Sequence, residues 1–354
     1  MKLGIVSFTA RGTALGCKLY EMFCGAGEDC SFYTLPKLLA PEQEKAGARA
    51  LDCPIGQWAG QMFDRKQAMI FVGATGIAVR AIAPFIKDKF SDPPVLVIDE
   101  GGQFVIPILS GHVGGSNELA LRMAGWIGAV PVITTATDVN GLFAVDVFAA
   151  KNNLFIGERS LAKSVSASLL SGERVGFLDD FLGQSSWRGL PENGLPKGFI
   201  REVCASNVWI TLSDKISPFE VQPGHTFLRL IPKAVVLGIG CRRGISPQVL
   251  EEGADAFLRA HHLAPETVKA VATIDLKQDE EAVLSLCRRK NWPLRIYSAG
   301  ELNAVCGHFS ESEFVKKQTG VGNVCERSAC AGGGRLLVQK EAGNKMTLAA
   351  ALEL

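Results

Sequence analysis

The stretch with most chemical potential in this chain is Ser110-Gly-His-Val-Gly-Gly115, with Asn117 and Glu118 just beyond it. It follows an apolar run at residues 104–109 that reads as a buried strand. It precedes Leu119, Leu121, Met123 and Ala124, a helical pattern that should end near Gly128. Three glycines between strand and helix permit a sharp turn with N–H groups facing a ligand. The helix start adds partial positive charge, so an anion-binding turn for carboxylate or phosphate is expected here, lined by Ser110, Gly111, Gly114, Gly115 and Asn117. The pattern is neither a Walker loop nor G-x-G-x-x-G. His112 adds a group suited to proton transfer near neutral pH. Glu118, in the first helical turn, is explained by the helix dipole alone.

Four further groups carry chemistry. Thr134, Thr135, Thr137 and Asp138 follow the apolar residues 130–133, at a strand end where ligands of open α/β sheets collect. Asp138 is the first choice for general base; the competing role is a turn with Asn140-Gly141. Gly73-Ala-Thr-Gly76 also joins a strand to a helix, which makes Thr75, Gly76 and Arg80 a second anion site, the arginine fork matching a carboxylate. Gly240, Arg242 and Arg243 form a basic glycine loop, and two adjacent arginines there point to an anionic substrate. Cys241 lies beside positive charge but has no neighbouring histidine to activate it. Asn323, Glu326 and Arg327 open a helix after Gly320 and Gly322; Glu326 is the alternative acid/base, against an ion pair with Arg327. Asp275, another strand-end carboxylate, ranks lower. No G-x-S-x-G is present, which speaks against a serine nucleophile of the α/β-hydrolase kind.

These groups need a scaffold of alternating strands and helices. Strands are expected at residues 3–8, 68–72, 95–98, 104–109 and 130–133, with helices over 14–23 and 77–86. The pattern weakens from residue 138 to 229: residues 183–198 read as loop, and short strands fall at 174–178, 208–212 and 227–230. After Pro232, strands at 234–239, 268–274, 293–297, 336–339 and 346–350 alternate with helices, one of them started by Ser246-Pro247. The expected fold is α/β: two α/β domains with largely parallel sheets, residues 1–135 and 231–354, flanking a small, less regular α/β middle domain, residues 136–230.

The 354 residues exceed one ordinary core, which agrees with several domains. Net charge is +1, from 37 basic and 36 acidic residues, so nucleic acid is not an expected partner. No apolar stretch reaches the roughly 18 residues of a membrane helix, and Met1-Lys2 runs straight into strand-like sequence; a cytoplasmic protein without a membrane partner is expected. The ten cysteines are scattered without a C-x-x-C pair and read as reduced thiols rather than metal ligands, so no metal site is expected.

Five segments, taken in order, resemble the cobalt-precorrin-5A hydrolases of anaerobic cobalamin biosynthesis, the CbiG family. They are Gly73-Ala-Thr-Gly-Ile-Ala-Val-Arg80, Ser110-Gly-His-Val-Gly-Gly115, Ile133-Thr-Thr-Ala-Thr-Asp-Val-Asn-Gly141, Leu237-Gly-Ile-Gly-Cys-Arg-Arg-Gly244 and Thr319-Gly-Val-Gly-Asn-Val-Cys-Glu-Arg327. One position departs: Gly322 stands where the family pattern has aspartate. The resemblance implies that water opens a lactone on a cobalt-bearing contracted tetrapyrrole and that a two-carbon fragment leaves as acetaldehyde. The substrate carries acetate and propionate arms and brings the cobalt with it, so no separate cofactor is expected. Transient contact with other enzymes of the same pathway is expected. A non-catalytic carrier of a corrinoid intermediate and a methyltransferase of that pathway remain alternatives, the latter lacking a glycine-rich cofactor fingerprint.

Overall fold

The computed structural model describes residues 2–88, 91–112, 114–181, 187–191, 194–218 and 223–354. Val113 of the glycine motif and part of the expected loop at 183–198 lie outside them. The chain divides into two compact units, residues 1–147 and 148–354. The first unit thus extends past residue 135 to take in the segment around Asp138 and Asp146, and the middle and C-terminal regions share the second.

In the first unit, β1 (Lys2–Ser7), β2 (Asp29–Thr34), β3 (Ala48–Ala50), β4 (Ala68–Val72), β5 (Val95–Ile98), β6 (Phe104–Leu109) and β7 (Val130–Pro131) form one sheet in the order β3-β2-β1-β4-β5-β6-β7. All five residues of β4 are buried because both faces are covered. Ile70 and Val72 pack with Leu19, Phe23 and Met123, while Met69 and Phe71 pack with Trp58 and Ala81 on the other side. The strands run parallel from β3 to β5, and then β6 reverses. Val95 lies opposite Leu109 and Ile98 opposite Val105, and β7 runs parallel to β6. Residues 99–103 are too few for a crossover and can only make a hairpin. The Asp99 carboxylate holds that hairpin by accepting from the N–H groups of Gly101, Gln103 and Phe104. The chain therefore leaves β6 and β7 at the sheet edge opposite the one where it leaves β1 and β4.

The second unit carries two sheets. The first contains β8 (Leu154–Ile156), β9 (Val175–Asp179), β10 (Phe199–Ile200), β11 (Ser206–Ile210) and β12 (Thr226–Pro232), in the order β10-β9-β11-β12-β8 with only β8 antiparallel. Among the described residues, the middle region is thus an α/β layer, as its sequence suggests. The second sheet, β15-β14-β13-β17-β16, contains β13 (Val235–Cys241), β14 (Val268–Ile274), β15 (Leu294–Tyr297), β16 (Arg335–Gly343) and β17 (Met346–Leu352). There β13, β14 and β15 are parallel, whereas β16 and β17 form a hairpin. Its two-residue turn places Asn344 and Lys345 at φ 48° and 65°, the left-handed pair that the twist of a tight hairpin demands.

Local departures from expectation have local causes. Strand β7 is two residues rather than four. The helix begun at Thr75 stops at Ile82 and tightens to a 3-10 turn over Ala83–Phe85, since Pro84 has no N–H to continue it. Ser246 occupies the cap position of the helix Pro247–Ala260, but its hydroxyl makes no capping bond. Among the described residues, no helix is long and apolar enough to cross a membrane.

Candidate active site

The chain leaves β6 through Ser110–Gly115 and leaves β7 through Thr135 and Asp138, at the same edge of the sheet. The two loops meet. His112 Nε2 lies 2.8 Å from Asp138 Oδ2 and 2.9 Å from Thr137 Oγ1, and Asn117 Nδ2 donates to Asp138 Oδ2 at 2.8 Å and to Thr135 Oγ1 at 3.0 Å. On the other side of the ring, His112 Nδ1 is 3.8 Å from Asp146 Oδ2. An imidazole thus stands between two carboxylates. The Asp146 carboxylate raises the His112 pKa above its usual value; burial opposes this, and Asp138 reinforces it. The side chain of Asp138 is 37% exposed and that of His112 18%, so Asp138 is the member of the pair open to solvent.

Asp138, His112, Asn117, Thr135 and Thr137, singled out in the sequence, are therefore brought together, whereas Asp146 was missed. Asp146 had a weak signal: a second aspartate in the short segment after Asp138, on the helix Val145–Lys151.

The glycine loop itself is used differently from what was expected. The N–H groups of Gly115, Ser116 and Asn117 donate to the carbonyls of His112, Ser110 and Gly111, so three donors expected to face an anion bind the loop to itself. Ser110 is buried, has φ 56°, and donates its hydroxyl to the Asp92 carbonyl at 2.8 Å. A Cβ on Gly111 would stand 2.8 Å from Asn117 Oδ1, and one on Gly114 would stand 2.3 Å from Ser110 Cβ. Gly115 needs its glycine for φ 85°. These contacts shape the loop that presents His112.

Thr75, Gly76 and Arg80 lie at the opposite edge of the sheet, after β4, because β6 reversed direction. They form no part of the His112 cluster. Arg80 curls back on its own helix, donating to the Gly76 carbonyl at 3.2 Å.

The second unit supplies a different kind of site. The ends of β13 and β14, the hairpin turn between β16 and β17, and the helix Glu313–Thr319 enclose a cavity of about 1050 Å³. Gly240, Arg242, Arg243 and Asn323 line it, as do Lys277, Lys340 and Lys345, and among the described residues no carboxylate does. Lys277 is neutralised by Glu280 at 3.1 Å, while among the described residues no ion pair is made by Arg242, Arg243, Lys340 or Lys345. The glycines here serve packing. A Cβ on Gly238 would lie 1.9 Å from the Cys325 carbonyl oxygen, and one on Gly240 would lie 2.5 Å from Thr347 Oγ1. Burial pushes the Cys241 thiol up to about 11, Lys277 pulling weakly the other way, so it is not a thiolate at neutral pH.

Glu326 and Arg327 do not face this cavity, which corrects the acid/base and substrate roles expected for them. Glu326 is 2% exposed. Its Oε2 accepts from Ser310 N–H, Ser310 Oγ and Asn323 Nδ2, and its Oε1 from Lys340 N–H, so the carboxylate is consumed in fastening a loop and a strand to its helix. Asn323 caps that helix, accepting from Glu326 N–H at 3.0 Å. Arg327 pairs with Glu311 rather than Glu326, at 2.8 Å, donates to the Leu302 and Val305 carbonyls and stacks 4.9 Å above Phe309. Asp275 opens nothing longer than a 3-10 turn and receives the N–H of Leu276. Among the described residues, no three His, Cys, Asp or Glu side chains gather as a metal site would need.

Residues 57–138, 143–232 and 235–351 match the families described as Cobalamin synthesis G N-terminal, Cobalamin biosynthesis central region and Cobalamin synthesis G C-terminus. The chain is 37% identical over 328 residues to the cobalt-precorrin-5A hydrolase of Salmonella typhimurium, covering 91% of this chain and 89% of that one. It is 30% identical over 358 residues to the cobalt-precorrin-5A hydrolase of Priestia megaterium, covering 98% and 94%. A crystal structure of a putative cobalamin biosynthesis protein G homolog from Sulfolobus solfataricus aligns with 100% of this chain and 97% of its own at 20% identity and a TM-score of 0.40. Three family matches in sequence order, with two relatives that share almost the whole length, make the chain a member of the CbiG family of cobalamin biosynthesis.

Proposed function

We propose that this protein is a hydrolase of cobalamin biosynthesis that acts on cobalt-precorrin-5A, opening its lactone with water and releasing acetaldehyde. The observation that carries the chemistry is the His112 imidazole set between Asp138 and Asp146. Lactone opening needs a base to take a proton from water and an acid to return one to the leaving oxygen. Asp138, the more exposed partner, is the base; His112, held toward its charged form by both carboxylates, is the acid. Asp146 is a positioning residue that fixes the ring. The same pair serves the second step. A proton leaves the hydroxyl freed by lactone opening, the carbon–carbon bond to the macrocycle breaks, its electron pair stays on the macrocycle carbon and is protonated there, and acetaldehyde departs. The water consumed and the acetaldehyde released balance the reaction, and cobalt remains in the substrate throughout.

The test is an anaerobic assay with cobalt-precorrin-5A in which acetaldehyde is trapped and the pigment spectrum followed. Stoichiometric acetaldehyde is expected from the wild type. Asp138→Asn and His112→Gln should each lower kcat on the order of 10²- to 10⁴-fold, the usual contribution of a positioned acid or base. Arg80→Ala, at the other sheet edge, should leave turnover near wild type. Undiminished turnover in both variants removes the His112 pair from the reaction. Tight pigment binding by wild type without acetaldehyde makes the protein a carrier instead.

A further inference from the structure

The cavity in the second unit has a composition that folding does not require. It is about 1050 Å³, at the upper end of what small-molecule sites enclose. Four cations without carboxylate partners among the described residues, Arg242, Arg243, Lys340 and Lys345, border it in a protein whose net charge is only +1. Holding like charges together without counter-ions is unfavourable unless an anion is to be received. The lip is apolar as well as basic. Phe314 is 73% exposed and Leu276 51% exposed, and both line the cavity although neither belongs to a core cluster among the described residues. An aromatic ring left in water beside unpaired cations suits a ligand that is flat, apolar on its faces and anionic at its rim. The cavity of about 700 Å³ elsewhere in the same unit lacks this pattern, since it has Arg335 as its one Arg or Lys and Glu301 in its wall.

We infer that this cleft is the seat of a polycarboxylated tetrapyrrole macrocycle, with Phe314 and Leu276 against the ring face and the four cations receiving its carboxylate arms. The identity of the macrocycle rests on the function proposed above; the cleft and its charge do not. Two of the five segments that resemble the family, residues 237–244 and 319–327, converge on this one cavity through Gly240, Arg242, Arg243, Thr319, Gly322 and Asn323.

The test uses the full-length protein and two metal-free probes at low salt, uroporphyrin with eight carboxylates and mesoporphyrin with two, titrated by their Soret absorption and fluorescence. Uroporphyrin should bind with one-to-one stoichiometry and more tightly than mesoporphyrin. Arg242→Ala/Arg243→Ala/Lys345→Ala, all exposed positions, should weaken uroporphyrin by at least about tenfold and mesoporphyrin much less, as lost charge-assisted hydrogen bonds predict. Phe314→Ala should weaken both probes by a similar factor, and Phe314→Tyr should restore them. Circular dichroism checks that each variant is folded. Wild-type affinity for both probes in folded triple and Phe314→Ala variants overturns the inference, whatever the acetaldehyde assay gives. Weakened binding in those variants beside a wild type that makes no acetaldehyde upholds the cleft and removes the hydrolase reading.

Discussion

Gly322 shows how one residue type can report on a distant side chain. A Cβ there would lie 1.4 Å from Glu311 Oε2, so the Glu311 carboxylate occupies the space where a side chain at 322 would begin. That carboxylate is the partner of Arg327. Gly322→Asp and Glu311→Ser are each expected to lower stability by about 1–2 kcal/mol, the first by overlap and the second by leaving Arg327 short of an anion. Combined, they should recover most of the loss, because the carboxylate introduced at position 322 would stand where that of Glu311 stood. Thermal midpoints of the four proteins decide it, and simple additivity of the two losses sinks the substitution argument. At His112 the expectation concerns pH. Its folded pKa is raised above the value of about 6.5 it has when unfolded, so the interaction with Asp146 and Asp138 is fully present below about pH 6.5. It is lost as pH rises through the folded value. Unfolding titrations of wild type against His112→Gln should therefore converge as pH is raised from about 6 to 9. A gap that widens with pH would show that the ring is held neutral. Asp138, His112, Asn117, Thr135 and Thr137 were legible as one polar cluster because the loops that follow neighbouring parallel strands meet whatever the wider topology. Asp146, Phe314 and Glu311 were not, because their roles depend on which neighbours the fold delivers.

Among the elements, two glycines have opposite effects. Gly238 in β13 is pressed against the backbone of the helix Val324–Cys330, where a Cβ would meet the Cys325 carbonyl at 1.9 Å. Gly238→Ala must push away the helix that carries Asn323, Glu326 and one wall of the basic cleft, at a cost of about 1–3 kcal/mol. Gly125 lies inside the helix Ser116–Ile127 with nothing within 4 Å of its missing Cβ. Gly125→Ala should stabilise by about 0.5–1 kcal/mol through helix propensity and a less flexible unfolded chain. Denaturant midpoints test both, and equal effects would mean that the helix against β13 yields freely. Strands with uninterrupted apolar sequence, such as β4, were readable as elements. β2 and β3 were not, since their burial alternates irregularly at the margin of the sheet. The direction of β6 was the costly omission. Asp99-Glu-Gly-Gly-Gln103 is a hairpin sequence too short for a parallel crossover, and taken as such it separates the Arg80 loop from the His112 loop on sequence grounds alone.

For the whole molecule, charge is distributed rather than abundant. With 37 basic and 36 acidic residues, the protein has little long-range field to draw in an anionic pigment. On the reading proposed above, attraction comes from the local set of Arg242, Arg243, Lys340 and Lys345, whose reach is one Debye length, about 10 Å at 0.1 M salt. The His112 cluster is different in kind, being partly buried and internally paired, so salt screens it much less. The two sites should therefore separate in steady-state kinetics. Raising ionic strength from about 0.05 M to 0.5 M should raise KM for the pigment on the order of tenfold while leaving kcat nearly unchanged. In the Arg242→Ala/Arg243→Ala variant the KM should start high and lose most of its dependence on salt. A kcat that falls with salt in parallel with kcat/KM would place the charged contacts in the chemical step, and a KM indifferent to salt would remove the cationic cleft from substrate binding.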